Sequence, residues 1–190
     1  DSTSSMERYL EKFSSQFNTF IDNINMECPE AIIYFGFIGY KDLEDKRLGD
    51  EYIDKDFTAN YEVIREIINK IEPDGGDDVP EDIAGAFELS LNKKWKGKAK
   101  IAILFTDSPC HGRKFHDLNQ NQPDEKDKYL DGVPDLNIEE SIKKFAEKKI
   151  SLFCVNLHQN MNKMLKVFED TYNKEKENDE SEFYVAKDKI

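Results

Sequence analysis

The chain has 190 residues, 38% of them hydrophobic, with thirteen Phe and eight Tyr: enough apolar bulk to fill the core of one α/β domain, too little length for two. Its formal net charge of −13 repels nucleic-acid phosphates and anionic membrane surfaces, which argues against both as partners and favours cations and basic groups. These 190 residues carry neither a signal-peptide pattern nor a run of the ~20 apolar residues of a membrane span, and Cys28, Cys110 and Cys154 are odd in number without C-x-x-C spacing, which predicts free thiols and a cytoplasmic setting.

The chain opens on Asp1-Ser2-Thr3-Ser4-Ser5. Asp1, Thr3 and Ser5 alternate, so in an extended turn their oxygens project to one side. A carboxylate with two hydroxyls suits Mg²⁺, Mn²⁺ or Ca²⁺ better than Zn²⁺; the same stretch also reads as the N-cap of a following helix. From Met6 to about Ile24, apolar residues recur at three and four (Tyr9, Leu10, Phe13, Phe17, Phe20, Ile21, Ile24), predicting that helix. The apolar run from Ala31 to Tyr40 predicts a central strand. Lys41 to Asp50 reads as a charged loop, and Tyr52 to Phe57 as a short edge strand. Val63, Ile64, Ile67, Ile68 and Ile71 predict a helix over Asn60–Ile71, ended by Pro73-Asp74-Gly75-Gly76. A third helix is expected near Pro80, with Pro in its first turn and Glu81 and Asp82 complementing its dipole.

Ile101 to Thr106 is the clearest buried strand, and it ends at Asp107. Gly112 to Leu136 is polar and aperiodic, hence a loop; within it, Arg113 to Leu136 is the segment expected to face a partner. Ile138 to Lys149 reads as an amphipathic helix and Ile150 to Leu157 as another strand. Met161, Met164, Leu165 and Phe168 lie at helical spacing and read as core. A charge run from Glu175 to Glu182 precedes a final edge strand at Phe183-Tyr184-Val185. Near-continuously apolar strands alternating with helices predict a parallel sheet covered on both faces, with ligands beyond the carboxyl ends of its strands.

Two more segments carry chemistry. Gly75-Gly76-Asp77-Asp78-Val79-Pro80-Glu81-Asp82 puts a glycine turn and paired carboxylates just before a helix. Phe105-Thr106-Asp107-Ser108-Pro109-Cys110-His111-Gly112 puts a carboxylate at a buried strand's end. Taken singly, these are also ordinary caps and turns. Together with Asp1, Thr3 and Ser5 they form three oxygen clusters compatible with one sheet edge.

In this order the motifs resemble the metal-ion-dependent adhesion site (MIDAS) of the von Willebrand factor A domain. The segments Phe35 to Asp42, Gly75 to Ala86 and Thr106 to Gly112 are similar to the subgroup found beside atypical α-kinase domains, and the resemblance runs from Asp1 to about Tyr172. It implies a single domain over 1–190 with a Rossmann-like fold: a mostly parallel central sheet with one antiparallel edge strand and helices on both faces. The family's first strand would lie upstream of Asp1, making the chain an excerpt of a longer protein. By position it implies Asp1, Thr3, Ser5, Asp78 and Asp107 as ligands of Mg²⁺ (or Mn²⁺ or Ca²⁺), Asp78 standing where the family has Thr, with Asp77 as its rival for that place. It further implies a non-catalytic module that binds a protein partner at the metal face, without nucleic acid or a membrane span.

Three ionised aspartates on one ion would overcompensate its charge, so the partner is expected to offer a neutral or basic group, or the metal to serve the loops alone. Glu81 and Asp82 read as helix N-terminal groups. Asp42 reads as an exposed loop charge or a group on the site's rim. Cys110, His111 and His116 lack a spaced fourth zinc ligand and read as turn residues or as supports of metal ligands. The rival readings are an Mg²⁺-dependent haloacid-dehalogenase-like phosphatase with Asp1 as nucleophile, whose later acidic motif is missing here, and an A-like domain with an inactive metal site. No glycine-rich phosphate loop paired with a strand lysine is present, so any kinase activity would lie outside this chain.

Overall fold

Apolar spacing at three and four builds the first layer of the fold. In the computed structural model, which describes residues 1–47, 52–76, 78–122, 125–176 and 181–187, a 3-10 turn over Ser4–Met6 leads into helix α1 (Glu7–Glu27). One face of α1 buries Tyr9, Leu10, Phe17 and Ile21. Helix α3 (Tyr61–Lys70) buries Ile64 and Ile68, and the Asn60 side chain caps it by accepting from the Glu62 N–H at 3.1 Å. Phe17, Ile21, Ile64 and Ile68 form one cluster, with Phe35 and Phe37 of strand β1 (Phe35–Gly39) packed against it. Burying each such side chain stabilises the fold by roughly 1.5–3 kcal/mol.

Strand β1 pairs antiparallel with β2 (Ile53–Thr58). Between them the segment expected to be a loop forms a short helix, α2 (Leu43–Arg47); residues 48–50 of that segment lie outside the described residues. A second sheet is fully parallel, in the order β3 (Ile101–Thr106), β4 (Ser151–Asn156), β5 (Phe183–Lys187). Its register sets Leu104 opposite Cys154 and Cys154 opposite Val185. The molecule is therefore mixed α/β, with a three-stranded parallel sheet and a separate antiparallel pair among the described residues. Of the charge run before β5, residues 177–180 lie outside the description.

Both faces of the parallel sheet carry helices. Leu104, Leu152 and Cys154 belong to the largest core cluster, which takes Phe87 from α4 (Ile83–Asn92), Ile142 and Phe145 from α5 (Ile138–Glu147), and Met164, Phe168 and Tyr172 from α6 (Asn162–Glu175). Tyr172 also donates to the Ile150 carbonyl at 2.9 Å. The neighbouring positions Phe105 and Val155 point the other way, onto a smaller cluster of Met6, Tyr9, Leu10 and Leu157. Helix α5 starts where Asn137 accepts from the Glu139 and Glu140 N–H groups.

Helix α4 begins later than expected. Asp82 is its N-cap, accepting from Gly85 N–H at 2.8 Å, so Pro80 and Glu81 lie outside the helix. The chain start joins the two sheets: the Asp1 nitrogen donates to the Phe105 carbonyl at 3.1 Å, and Ser2 N–H to the Tyr40 carbonyl at 2.9 Å. The carboxyl ends of β1 and β3 thus meet at residues 1 and 2.

Candidate metal centre

Local hydrogen bonding shapes the first segment into a cup of oxygens. Asp1 Oδ1 accepts from the Thr3 N–H at 3.0 Å and from the Thr3 hydroxyl at 2.8 Å, which fixes the alternating side chains on one side. Thr3 Oγ1 lies 3.4 Å from Ser5 Oγ, and the Ser5 hydroxyl donates to Asp107 Oδ1 at 2.9 Å. Thr106, fully buried at the end of β3, donates to Asp1 Oδ2 at 2.6 Å, and Ser108 donates to Asp107 Oδ1 at 3.3 Å. Asp1, Thr3, Ser5 and Asp107 therefore converge at the carboxyl end of β3. Ser5 is exposed and Asp107 half-buried, so the cup opens to solvent.

The loop before α4 supplies an unexpected acid. Gly75 and Gly76 take φ of 72° and 86°, which glycine alone adopts without strain. A Cβ built on Gly76 would stand 3.2 Å from Glu81 Oε1 and 3.3 Å from Thr3 Cβ, so this glycine lets Glu81 and Thr3 pack closely. Glu81 is 2% exposed; its backbone N–H donates to the Pro109 carbonyl at 2.9 Å, and its Oε2 has no hydrogen-bond partner among the described residues. Burial, then the charge of Asp42, pushes the Glu81 carboxyl well above its ordinary range, while the Thr3 hydroxyl opposes that shift. Sequence reasoning placed Glu81 at the helix terminus because it follows a proline and precedes an apolar helical repeat. The turn at Asp82 sends it inward instead.

Asp78 sits in different company. Its Oδ2 accepts from the Lys128 N–H at 2.8 Å, and its carboxylate lies with Asp42 and His111, one ligand atom from each within 4.8 Å of the others. Burial raises the Asp78 pKa to about 6. His111 is wedged between two carboxylates: Nε2 is 2.9 Å from Asp42 Oδ1, and Nδ1 is 2.9 Å from Asp127 Oδ1. Burial alone would lower the imidazole pKa, but the hydrogen bonds to Asp127 and Asp42 outweigh it and raise it to about 9. Asp127 also accepts from Gly112 N–H at 2.9 Å and Tyr129 N–H at 2.7 Å, and meets His116 Nε2 at 2.8 Å. Burial raises its pKa, yet these bonds hold it well below the ordinary carboxylate range.

Of the five aspartate and hydroxyl ligands expected from the sequence, four are brought together, and the contacts of Asp78 lie elsewhere. The overcompensation expected from Asp78 on the same ion thus has no counterpart in its contacts. Asp77 lies outside the described residues. Asp42, which the sequence reads as an exposed loop charge or a group on the site's rim, is 2% exposed. The long loop expected to face a partner buries Phe115, His116, Asp127 and Val133, and Lys163 of α6 ties it down through the His116 carbonyl and Asp117. The spaced polar residues His111, His116 and Asp127 in an otherwise aperiodic segment were the only sequence signal of this network. All three cysteines are unpaired, and no described helix is long and apolar enough to cross a membrane.

No protein-family model matches the chain. Over 126 residues, 65% of its length, it is 29% identical to the alpha-protein kinase vwkA of Dictyostelium discoideum. The chain spans 20% of that relative's length.

Proposed function

We propose that this chain is a von Willebrand factor A-type module of a larger protein, which holds a divalent cation at a MIDAS-type centre and uses that face to bind a protein partner, without catalysis of its own. The observation that carries the reading is the convergence of Asp1, Thr3, Ser5 and Asp107 from two distant segments on one solvent-open cup. The donors are carboxylate and hydroxyl oxygens, the set that Mg²⁺ and Mn²⁺ prefer. Glu81, buried beside Thr3 with an unpartnered oxygen, is what a cation there would satisfy. Asp1 and Asp107 balance the ion's two charges, and Glu81 would serve directly or through water.

The likeness to part of a much longer kinase supports a place within a multidomain protein. The parallel sheet with helices on both faces, and the antiparallel pair beside it, support the Rossmann-like reading. Residues 1 and 2 already bridge β1 and β3, so a strand leading into Asp1 would unite the two sheets into one mostly parallel sheet with β2 as its antiparallel edge. When bound, the ion would present an open coordination position to a partner's oxygen.

Isothermal calorimetry of Mn²⁺ and Mg²⁺ on wild type and Asp107→Ala tests the reading. Saturable binding in wild type that the substitution abolishes is the expected result. Mg²⁺ binding unchanged by Asp107→Ala would refute it.

A further inference from the structure

We propose that Asp42, Asp78 and His111 form a second cation site, separate from the Asp1–Asp107 cup and selective for a first-row transition-metal ion of the Zn²⁺ class. One nitrogen and two carboxylates are the mixed donor set such ions favour over Mg²⁺. The three ligand atoms lie within 4.8 Å of one another, close enough for small side-chain rotations to place them around one ion.

Two further observations point to a ligand. Asp42 is 2% exposed, yet its Oδ2 has no hydrogen-bond partner among the described residues. Asp78 Oδ1 is likewise buried and unpartnered, although Oδ2 of the same carboxylate is satisfied by Lys128 N–H. Buried carboxylate oxygens without partners are costly, and an ion between them relieves both.

The far side of the imidazole is built as a metal-bound histidine requires. Asp127 Oδ1 accepts from Nδ1–H at 2.9 Å, which turns Nε2, 2.9 Å from Asp42 Oδ1, toward the Asp42–Asp78 side. Asp127 cannot swing away, because Gly112 N–H, Tyr129 N–H and His116 Nε2 all hold it. On binding, the ion takes the place of the Nε2 proton, which leaves to solvent. Half-buried Asp78 marks the side from which the ion enters. His111 therefore supplies a ligand, where the sequence reads as a turn residue or a support of metal ligands.

The test uses Co²⁺, whose visible absorption reports nitrogen and oxygen ligation, followed by displacement with Zn²⁺. Wild type and Asp107→Ala are expected to show the same Co²⁺ bands. Asp78→Asn and His111→Asn are expected to weaken Co²⁺ affinity by at least the 10–100-fold typical of losing a group that only supports a metal ligand, while leaving Mg²⁺ binding at the first cup in place. A Zn²⁺ titration of wild type followed through the His111 imidazole resonances provides a readout that no substitution can confound by unfolding. A Co²⁺ spectrum lost in Asp107→Ala and unaffected by Asp78→Asn would overturn the proposal, as would imidazole resonances of His111 that Zn²⁺ leaves unmoved. Failure of Mg²⁺ binding at the first cup would not touch it.

Discussion

Ser5 and Asp107 are separated by 102 positions, and the Ser5 hydroxyl donates to Asp107 Oδ1 at 2.9 Å. Neither residue is held there by its own neighbours alone. The 3-10 turn over Ser4–Met6 sets Ser5, while β3 delivers Asp107 at its carboxyl end. The pairing is a property of the assembled sheet edge.

Ser5→Ala separates this contact from the stability of the fold. The residue is exposed, so its removal should alter stability by less than about 0.5 kcal/mol. A lost hydroxyl ligand and a freed Asp107 should weaken Mn²⁺ binding roughly tenfold, about 1.4 kcal/mol. Calorimetry beside a chemical melt measures both quantities on the same sample.

Glu81→Gln addresses which acid of the 75–82 loop serves the first cup. Its side chain is buried with an unpartnered oxygen, so in chelator the neutral amide should leave the melting temperature unchanged or higher. Wild type should gain melting temperature with Mg²⁺, because a ligand bound only to the folded state stabilises it. The variant should lose that gain, whereas Asp78→Asn should keep it. A full Mg²⁺ response in Glu81→Gln would remove Glu81 from the site.

What the sequence made legible was whatever repeats or alternates locally. The helix of α1 followed from its apolar spacing, the buried strand β3 from its apolar run, and the one-sided display of Asp1, Thr3 and Ser5 from their alternation. Glu81 was not legible, because a proline and an acidic pair before an apolar repeat look like a helix start until the cap at Asp82 is seen. The His111 network was hidden for another reason. Asp42 and Asp127 reach His111 across 69 and 16 residues, and no local period encodes loops that close on one another.

Gly75→Ala probes the loop that carries Glu81. Gly75 has φ of 72°, and an added Cβ would fall 2.5 Å from Asp45 Oδ1, whose other oxygen accepts the Gly76 N–H at 2.9 Å. Gly132, with φ of 94°, has nothing within 4 Å of such a Cβ, so Gly132→Ala meets backbone strain alone. That strain costs about 1 kcal/mol. Gly75→Ala should cost at least about 1–2 kcal/mol more, through the clash, and should weaken Mn²⁺ binding because Ser4 loses its alignment on the Gly75 carbonyl. Urea unfolding of the two variants gives the difference directly; equal losses would mean the Asp45 contact is not formed.

Thiol chemistry tests the packing of the parallel sheet against its helices. Cys28 is exposed just past the end of α1, whereas Cys110 is 1% and Cys154 0% exposed in the main core. Burial also pushes both buried thiols well above their ordinary pKa, which suppresses the reactive thiolate. An aromatic disulfide reagent should therefore titrate Cys28 at once in the native protein, and all three cysteines only in denaturant. Rapid native reaction at Cys154 would be the more damaging result, since β4, which carries it, lies between β3 and β5, and its side chain packs in the same core cluster as Leu104 of β3, the strand that leads into Asp107. A sheet loose enough to admit the reagent there could not hold Asp107 against Ser5, so the same titration bears on whether the cup is formed before any cation arrives.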